Sequence, residues 1–414
     1  MTERETLKLV IVGHVDHGKS TLIGRLLYDT ESLPPEKMDE IRKASLELGH
    51  EVEFAYVMDH LEEERRQEMT IDTAQAFFRT ERRDYVIIDA PGHRELLWNM
   101  ITGAAQADAA VLVVDAAEGV KEQTQRHATF LSLLGIRDVV VFVNKMDKAG
   151  YDETRFMALA GVLARALTQV GLKCSACTPG SALLGENIAR RSKTMPWHTG
   201  PTLLEALDAI APSSAQTDGP LRFPIQDVYK LDSRQVAVGR IESGRIQTGQ
   251  EILFLPSRSK ACVKTIDVFG QERAFAERGE CIGVTLDSGP LPNRGEVGCA
   301  GDKSLTPTTG FRANIFWMAQ EPCRKGEPLT VRAATQEVSC RVEKIETRLD
   351  SATCERLEQD AGELNETEIG RAIIVADRPL VLDPFADVPE LGRFILTRGS
   401  AMVGGGLVVQ SHVS

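Results

Sequence analysis

The sequence predicts an α/β domain with a doubly wound, mostly parallel sheet, followed by two small all-β barrels. Three observations support this fold class. The first half alternates short apolar runs with helical stretches, a glycine-rich turn follows the first of those runs, and the second half changes to short alternating strands with turns. A chain of 414 residues suits roughly two to four domains of ordinary size.

Four apolar runs in the first half are expected to form parallel strands. They are rich in Val and Ile and apolar at nearly every position, which suits strands that are buried on both faces. Helical stretches separate them, and repeats of strand, helix and strand favour a doubly wound sheet. The strand-like runs read LKLVIVG, DYVIIDA, DAAVLVVDA and DVVVFVNKMD, and the helical stretches read GKSTLIGRLL, RELLWNMITGAAQA and KEQTQRHATFLSLLG.

The pattern of polar and apolar residues changes near residue 212. The stretch SSAQTDGP is polar and rich in turn formers, as expected of a linker. Short alternating strands follow it, and a second change near GDKSLTPTTG separates two sets of them. We therefore predict a nucleotide-binding domain over residues 1–212, a linker over 213–220, and two β-barrels over 221–305 and 306–414.

Composition and charge argue against some classes of function. The formal net charge is −12, from 48 basic and 60 acidic residues, which argues against a generally basic nucleic-acid coat protein. No apolar run approaches the roughly 20 residues that span a bilayer, and the start MTERETLKLV lacks the apolar stretch of a signal peptide. Eight scattered cysteines are typical of reduced thiols. We expect a cytoplasmic protein with no membrane partner.

A phosphate-binding loop follows the first predicted strand. The segment VIVGHVDHGKST has the spacing G-x-x-x-x-G-K-[ST], in which glycines let successive N–H groups point at phosphate oxygens. The following helix adds its positive N-terminal end. Lys19 is expected to meet the β- and γ-phosphates, and the Ser20 hydroxyl to bind Mg²⁺. The residues expected to contact the nucleotide here are Gly13, His14, Val15, Asp16, His17, Gly18, Lys19, Ser20 and Thr21.

A second motif, NKMD, predicts which base is bound. Guanine presents two adjacent N–H donors on one edge, and a fixed carboxylate at Asp147 accepts both. Adenine lacks that pair, so it would leave the carboxylate unpaired. We assign Asn144 to bracing the loop and Lys145 to packing along the base. The tripeptide Ser181, Ala182 and Leu183 is expected to supply a backbone N–H to the guanine carbonyl.

Two further segments are expected to sense the terminal phosphate. In DAPGH, Asp89 is placed to reach Mg²⁺ through water, and Gly92 allows its N–H to approach a γ-phosphate closely. Thr70, in EMTID, is expected to give Mg²⁺ a second hydroxyl. His93 is expected to orient the water that attacks GTP. Lys19, Thr70 and His93 are thus the predicted catalytic residues, with GTP or GDP and Mg²⁺ as ligands.

These motifs together resemble a known family. The set Gly13–Ser20, Thr70, Asp89–His93 and Asn144–Asp147 resembles the translation-factor class of GTPases, which includes elongation factor Tu. The resemblance covers the whole chain and implies a GTPase domain followed by two β-barrels. Within this class, the segments ERRDYVIIDAPGH and FWMAQEP are similar to the large, GTPase subunit of bacterial heterodimeric sulfate adenylyltransferase (ATP sulfurylase). His14 and His17 depart from that branch and have the elongation-factor form.

The resemblance implies one function and leaves a second open. In the first, GTP hydrolysis to GDP and phosphate drives the reaction of ATP and sulfate to adenosine 5′-phosphosulfate and pyrophosphate. A separate, small catalytic ATP sulfurylase subunit would be the partner. The alternative is an elongation factor Tu-like GTPase that delivers aminoacyl-tRNA to the ribosome. A third interpretation is a GTP-dependent adaptor with slow or no turnover, against which intact Lys19, Thr70 and His93 argue.

Cys174 and Cys177 form a C-x-x-C pair whose simplest interpretation is packing. A zinc site needs four ligands, and a redox pair needs a helix that starts after the first cysteine. The sequence has no second C-x-x-C, and this pair precedes the Ser181–Leu183 loop.

Overall fold

The computed structural model describes residues 5–33, 38, 75–89, 107–211, 219–231, 234–268, 270–287, 290–301, 305–351 and 356–413. The chain divides into two compact units. The first is Met1–Ser213 with Ser351–Cys354, and the second is Ser214–Asp350 with Glu355–Ser414. The predicted boundaries at residues 212, 220 and 305 stay predictions, and residues 212–218 lie outside the described residues.

The first unit is built on a six-stranded sheet with strand order β2-β3-β1-β4-β5-β6. All neighbours pair in parallel except β2, which runs antiparallel to β3. All seven residues of β4 are buried, as expected of a strand covered on both faces. The strands are β1 (Thr6–Gly13), β2 (Gln75–Arg79), β3 (Asp84–Asp89), β4 (Ala109–Asp115), β5 (Asp138–Asn144) and β6 (Lys173–Pro179).

Helices cover both faces of this sheet and produce two separate cores. Successive residues of β1 point to opposite faces, so Leu9 packs into one core and Val10 into the other. The core around Leu9 receives α1 and α4, and the core around Val10 receives α2 and α3. This arrangement confirms the doubly wound fold. The helices are α1 (Lys19–Asp29), α2 (Glu122–Leu133), α3 (Glu153–Gln169) and α4 (Leu203–Asp208).

Two of these helices begin at side-chain caps. The carboxylate of Asp152 accepts hydrogen bonds from the N–H groups of Thr154 and Arg155 at the start of α3. At the start of α4, Thr202 and Glu205 form a reciprocal capping box. Among the helices of the described ranges, none combines the length and the apolar character that crossing a bilayer requires.

The second unit begins with a closed β-barrel. Its strand order is β10-β15-β7-β8-β14-β11, and pairing of β10 with β11 closes the ring. Strand β12 extends the edge of β11, and β9 pairs with β13 as a separate ribbon. The strands are β7 (Phe223–Leu231), β8 (Arg234–Arg240), β9 (Arg245–Gln247), β10 (Glu251–Leu255), β11 (Ser259–Val268), β12 (Gln271–Arg273), β13 (Phe275–Glu277), β14 (Cys281–Leu286) and β15 (Val297–Cys299).

A second closed barrel completes this unit and confirms the predicted fold class. Its ring is β18-β23-β24-β16-β22-β19, closed by pairing of β18 with β19, around the fully buried Trp317. The elements are β16 (Thr308–Trp317), β17 (Cys323–Arg324), β18 (Pro328–Ala333), β19 (Gln336–Leu349), β20 (Arg356–Ala361), β21 (Glu363–Leu364), β22 (Ile369–Leu380), α5 (Pro389–Gly392), β23 (Arg393–Arg398) and β24 (Ala401–Gln410).

Apolar contacts and a buried ion pair join the two barrels. Leu255 and Val297 of the first barrel pack with Leu391, which follows β22. Beside them, Arg222 Nε lies 2.7 Å from Asp383 Oδ2, and the arginine side chain is only 1% exposed. A buried pair of this kind tolerates little displacement, because separating its members would leave charges in an apolar environment.

Candidate nucleotide site

Predicted site residues that the structure describes lie together at the carboxyl end of the six-stranded sheet. Strands β1, β4, β5 and β6 are parallel, so the loops that follow them emerge together at their carboxyl ends. Gly13, the last residue of β1, pairs in register with Val113, and Asp115, the last residue of β4, pairs with Asn144 at the end of β5. The phosphate-loop and base-loop motifs are therefore neighbours in space.

Glycine is sterically required at both ends of the phosphate loop. A Cβ on Gly13 would lie 2.4 Å from the carbonyl oxygen of Val113. Gly18 has a φ of +89°, and a Cβ there would lie 2.5 Å from Nδ2 of Asn144. Because any side chain at either position would clash, the loop can lie flat against β4 and β5. That close approach forms the cradle a phosphate group needs.

Lys19 is held over its own loop. Its Nζ donates hydrogen bonds to the carbonyl oxygens of Gly13 at 2.9 Å and His14 at 3.0 Å. Ser20 is exposed and Thr21 half-buried in the first turn of α1. Val15 is 58% exposed at the tip of the loop. The ammonium, the serine hydroxyl and the loop N–H groups therefore lie around the N-terminus of α1, which favours anions.

Asn144 joins the phosphate loop to the loop after β6. It is 2% exposed. Its Nδ2 donates to the carbonyl oxygen of His17 at 2.8 Å, and its Oδ1 accepts from the N–H of Ala182 at 2.8 Å. One side chain thus fixes the spacing between two loops that would otherwise move independently.

Asp147 offers a buried acceptor that has no partner in the described part of the chain. Its Oδ1 atom is inaccessible to solvent and accepts no hydrogen bond there. Such atoms are uncommon because an unsatisfied buried acceptor is costly. The paired N–H donors of guanine would satisfy it, so the residues present fit this base.

The Ser181–Leu183 loop leaves one N–H for the base. Ser181 N–H donates to the carbonyl of Glu186 at 3.3 Å, and Ala182 N–H donates to Asn144. Within the described residues no acceptor faces the N–H of Leu183. Leu183 is therefore the member of the tripeptide best placed to meet a guanine carbonyl.

The two histidines of the phosphate loop have structural partners. His17 is fully buried, and its Nδ1 lies 3.2 Å from the carbonyl oxygen of Val113. Burial lowers the pKa of His17 and outweighs that hydrogen bond, so the ring is neutral at pH 7. His14 hydrogen-bonds through Nδ1 to the side chain of Gln123, near the start of α2. His17 therefore shapes the loop without carrying charge to it, and His14 ties the loop to α2.

Sequence reasoning missed one ionic contact of the site. Asp115 is 5% exposed, and its Oδ2 lies 2.8 Å from Nζ of Lys145. Burial raises the pKa of Asp115, but hydrogen bonds from Lys145 and from the N–H groups of Ala117 and Glu118 lower it below the ordinary value. The sequence did mark Asp115 as unusual, because it is the single acid at the end of the otherwise apolar strand AAVLVVD.

The residues assigned to Mg²⁺ and to hydrolysis are only partly described. Asp89 is the last residue of β3, at the same edge of the sheet, and pairs in register with Ile11. Thr70, Gly92 and His93 lie outside the described residues. Their roles stay predictions.

Cys174 and Cys177 lie in β6 as free thiols that pack against the core behind α3. Burial raises the pKa of Cys177 to about 12, so its thiol is protonated at pH 7. No group of three metal-ligating side chains is present in the described ranges.

Comparison with known proteins identifies the family. The family described as "Elongation factor Tu GTP binding domain" matches residues 4–213, and "GTP-eEF1A C-terminal domain-like" matches residues 310–409. The chain is 38% identical to a protein named elongation factor 1-alpha from Archaeoglobus fulgidus, covering 98% of both chains. The protein of the same name from Pyrococcus furiosus is also 38% identical, again over 98% of both. The chain belongs to the elongation factor Tu/1-alpha family of translation GTPases. It is accordingly a GTP-binding protein and a GTPase.

Two solved structures of a protein named sup35 also match the chain. A complex of sup35 with GDP is 26% identical, covers 100% of this chain and 96% of that one, and has a TM-score of 0.46. A second, with GMPPNP, is 25% identical over 98% and 94%, with a TM-score of 0.44.

The predicted sulfate adenylyltransferase function is wrong. Full-length relatives of this elongation factor family member are named elongation factor 1-alpha, which also overturns the predicted catalytic ATP sulfurylase partner. Part of each segment behind that prediction fills a core. Tyr85 is 1% exposed, and the buried Trp317 donates from Nε1 to the carbonyl of Glu321 at 2.8 Å. Residues that fill a core are shared across branches of a fold, so they do not discriminate function.

Proposed function

We propose that this GTPase binds aminoacyl-tRNA in its GTP state and delivers it to the ribosome. The observation that carries the proposal is the 38% identity, over 98% of the chain, to proteins named elongation factor 1-alpha. The buried, unpartnered Oδ1 of Asp147 supports the choice of guanine nucleotide.

Residues of three loops form the base-binding part of the site. Asp147 accepts the two N–H groups on one edge of guanine, and the stem of Lys145 packs along the ring. Leu183 N–H meets the base carbonyl. Asn144 holds the surrounding loops through its bonds to His17 and Ala182. A base without two adjacent donors leaves the Asp147 oxygen unsatisfied, which gives selectivity against adenine.

The phosphate-binding part uses the loop from Gly13 to Thr21. Its N–H groups cradle the phosphates, and Lys19 exchanges its bonds to the loop carbonyls for the β- and γ-phosphates. Ser20, Thr70 and Asp89 are the residues that would hold Mg²⁺, which would supply positive charge against the phosphates. His93 orients the water that attacks the γ-phosphate.

The γ-phosphate also selects the conformation that tRNA recognises. Contacts from Thr70 and Gly92 to that phosphate favour one arrangement of their segments, and hydrolysis removes those contacts. Aminoacyl-tRNA binds the GTP arrangement more tightly. The free energy available for delivery cannot exceed that difference in affinity.

The experiment is protection of aminoacyl-tRNA from spontaneous ester hydrolysis. The purified chain is loaded with a non-hydrolysable GTP analogue or with GDP, and survival of the aminoacyl bond is followed over time. Strong protection in the GTP form and little in the GDP form is the expected result. Equal survival in both forms, or survival equal to that of tRNA alone, would contradict the proposal. Competition by deacylated tRNA tests whether the aminoacyl group is recognised.

A further inference from the structure

Lys145 makes two contacts that lock the position of its ammonium. Its Nζ donates to the carbonyl oxygen of Asp16 in the phosphate loop and lies 2.8 Å from the carboxylate of Asp115. The lysine side chain is 23% exposed, so solvent competes weakly for its charge. Lys145 also has a φ of +60°, a left-handed backbone conformation that is uncommon for a residue with a side chain.

Asp115 is itself rigidly held. Its side chain is 5% exposed. Its Oδ1 accepts from the N–H of Ala117 at 2.7 Å and from the N–H of Glu118 at 3.2 Å, which leaves Oδ2 for the lysine. Arg155 of α3 anchors the turn that supplies these N–H groups. Its guanidinium donates hydrogen bonds to the carbonyls of Ala116 and Ala117. The carboxylate is therefore held by the turn through Oδ1 and by the Lys145 ammonium through Oδ2.

We propose that Asp115 is a positioning residue that slows nucleotide release by fixing Lys145 between the base loop and the phosphate loop. The inference rests on the proposed binding of guanine nucleotides at this site. Asp115 acts through Lys145, since its own oxygens are occupied by the turn and the ammonium. The lysine stem then stays against the base, and its ammonium keeps the phosphate loop at Asp16 from separating from the base loop.

The proposal makes a specific claim about the substitution Asp115→Asn. The amide has nearly the same shape but no charge, and the ammonium loses the partner that holds it. Lys145 then samples positions in solvent, and the wall beside the base loosens. GDP and GTP should be affected equally, because neither Asp115 nor Lys145 is placed to meet the γ-phosphate. We expect both nucleotides to dissociate about tenfold faster, as for loss of one charge-assisted contact.

A double-mutant cycle separates this role from a general structural one. Dissociation of a fluorescent GDP analogue is measured by chase with unlabelled GDP in the wild type, Asp115→Asn, Lys145→Met and the double variant. Lys145→Met keeps the stem and removes the charge. If Asp115 acts through Lys145, the double variant dissociates no faster than Lys145→Met alone.

The chain offers a matched control at the opposite end of the same sheet. Asp138, the first residue of β5, lies 3.4 Å from Nζ of Lys173, far along the strand from Asn144. Asp138→Asn removes an acid–lysine pair that is more exposed than the pair of Asp115 with Lys145, and it should leave GDP dissociation unchanged. Urea unfolding of every variant measures how much of any effect comes from lost stability.

The outcomes distinguish the inference from the function on which it rests. Unchanged dissociation in Asp115→Asn, or rate increases that multiply in the double variant, would overturn the positioning role while GDP binding stands. Failure of the wild type to bind the GDP analogue would overturn the proposed nucleotide function and this inference with it. A tenfold increase that is absent in the Lys145→Met background supports it.

Discussion

The most informative single perturbation of the site is Asn144→Ala. Asn144 is 2% exposed and makes two hydrogen bonds of 2.8 Å, one to the carbonyl of His17 and one from the N–H of Ala182. Alanine removes both and leaves those two backbone groups buried without their partner. The phosphate loop and the loop after β6 then lose their common attachment.

The size of the effect follows from those two groups. An unsatisfied buried donor or acceptor costs about 1–3 kcal/mol, so two of them cost about 2–6 kcal/mol in total. Relaxation of the exposed parts of both loops recovers some of this. We expect the free energy of unfolding to fall by about 2 kcal/mol, and the GDP dissociation constant to rise at least about tenfold, the equivalent of 1.4 kcal/mol.

A buried asparagine elsewhere in the same unit provides the control. Asn187 is also 2% exposed and also makes two bonds, from Nδ2 to the carbonyl of Pro179 at 2.8 Å and from the N–H of Ser192 to Oδ1 at 2.7 Å. Asn187→Ala should lower stability similarly and leave GDP affinity within about threefold, since it does not contact the phosphate loop. Titration calorimetry with GDP and urea unfolding measure the two quantities. The reasoning would be refuted by unchanged GDP affinity in Asn144→Ala, or by losses of GDP affinity that are equal in the two variants.

Three further perturbations test other parts of the account. His93→Ala should slow GTP hydrolysis about a hundredfold with GTP affinity nearly unchanged, and unaltered turnover would remove its assigned role. Asp383→Ala removes the carboxylate beside the buried Arg222, and urea unfolding should show a loss of about 3 kcal/mol; a loss below about 1 kcal/mol would contradict this. Burial, and next the charge of Glu390, raises the pKa of Glu242 from 4.5 to about 7. The folded state therefore holds that proton more tightly, and stability falls by about 3 kcal/mol as the pH rises from about 4.5 to 7. Glu242→Gln should abolish this part of the pH dependence in unfolding experiments at pH 5.5 and 8, and an unchanged profile would contradict it.

The sheet and its loops could be predicted because their physical signals are local. Strand β4 has no polar residue before Asp115, and a run of that kind is soluble only when both faces are covered. The glycines at 13 and 18 likewise indicate the phosphate loop locally, because neither position has room for a Cβ. The closed ring of each barrel, by contrast, depends on pairings such as β10 with β11 and β18 with β19, which strand spacing alone leaves open.

Contacts between distant segments were the part that the sequence left undetermined. The bond from Asn144 to His17 spans 127 positions and the ion pair of Arg222 with Asp383 spans 161. Neither has a local pattern, so only the fold reveals them. The branch of the family was assigned wrongly for a related reason. Core residues such as Trp317 carried part of the similarity to the wrong branch, while the loop histidines of elongation-factor form lie at the site itself.

The central claim, that Asp147 chooses the nucleotide which controls tRNA binding, is tested most directly by Asp147→Asn. Xanthine has a carbonyl where guanine has its exocyclic amino group, so an amide at position 147 matches xanthine and mismatches guanine. The measurement is protection of aminoacyl-tRNA by this variant with XTP and with GTP. The account predicts protection with XTP alone, the reverse of the wild type. Protection by the variant with GTP at wild-type concentrations, or with neither nucleotide while the wild type protects with GTP, would contradict it.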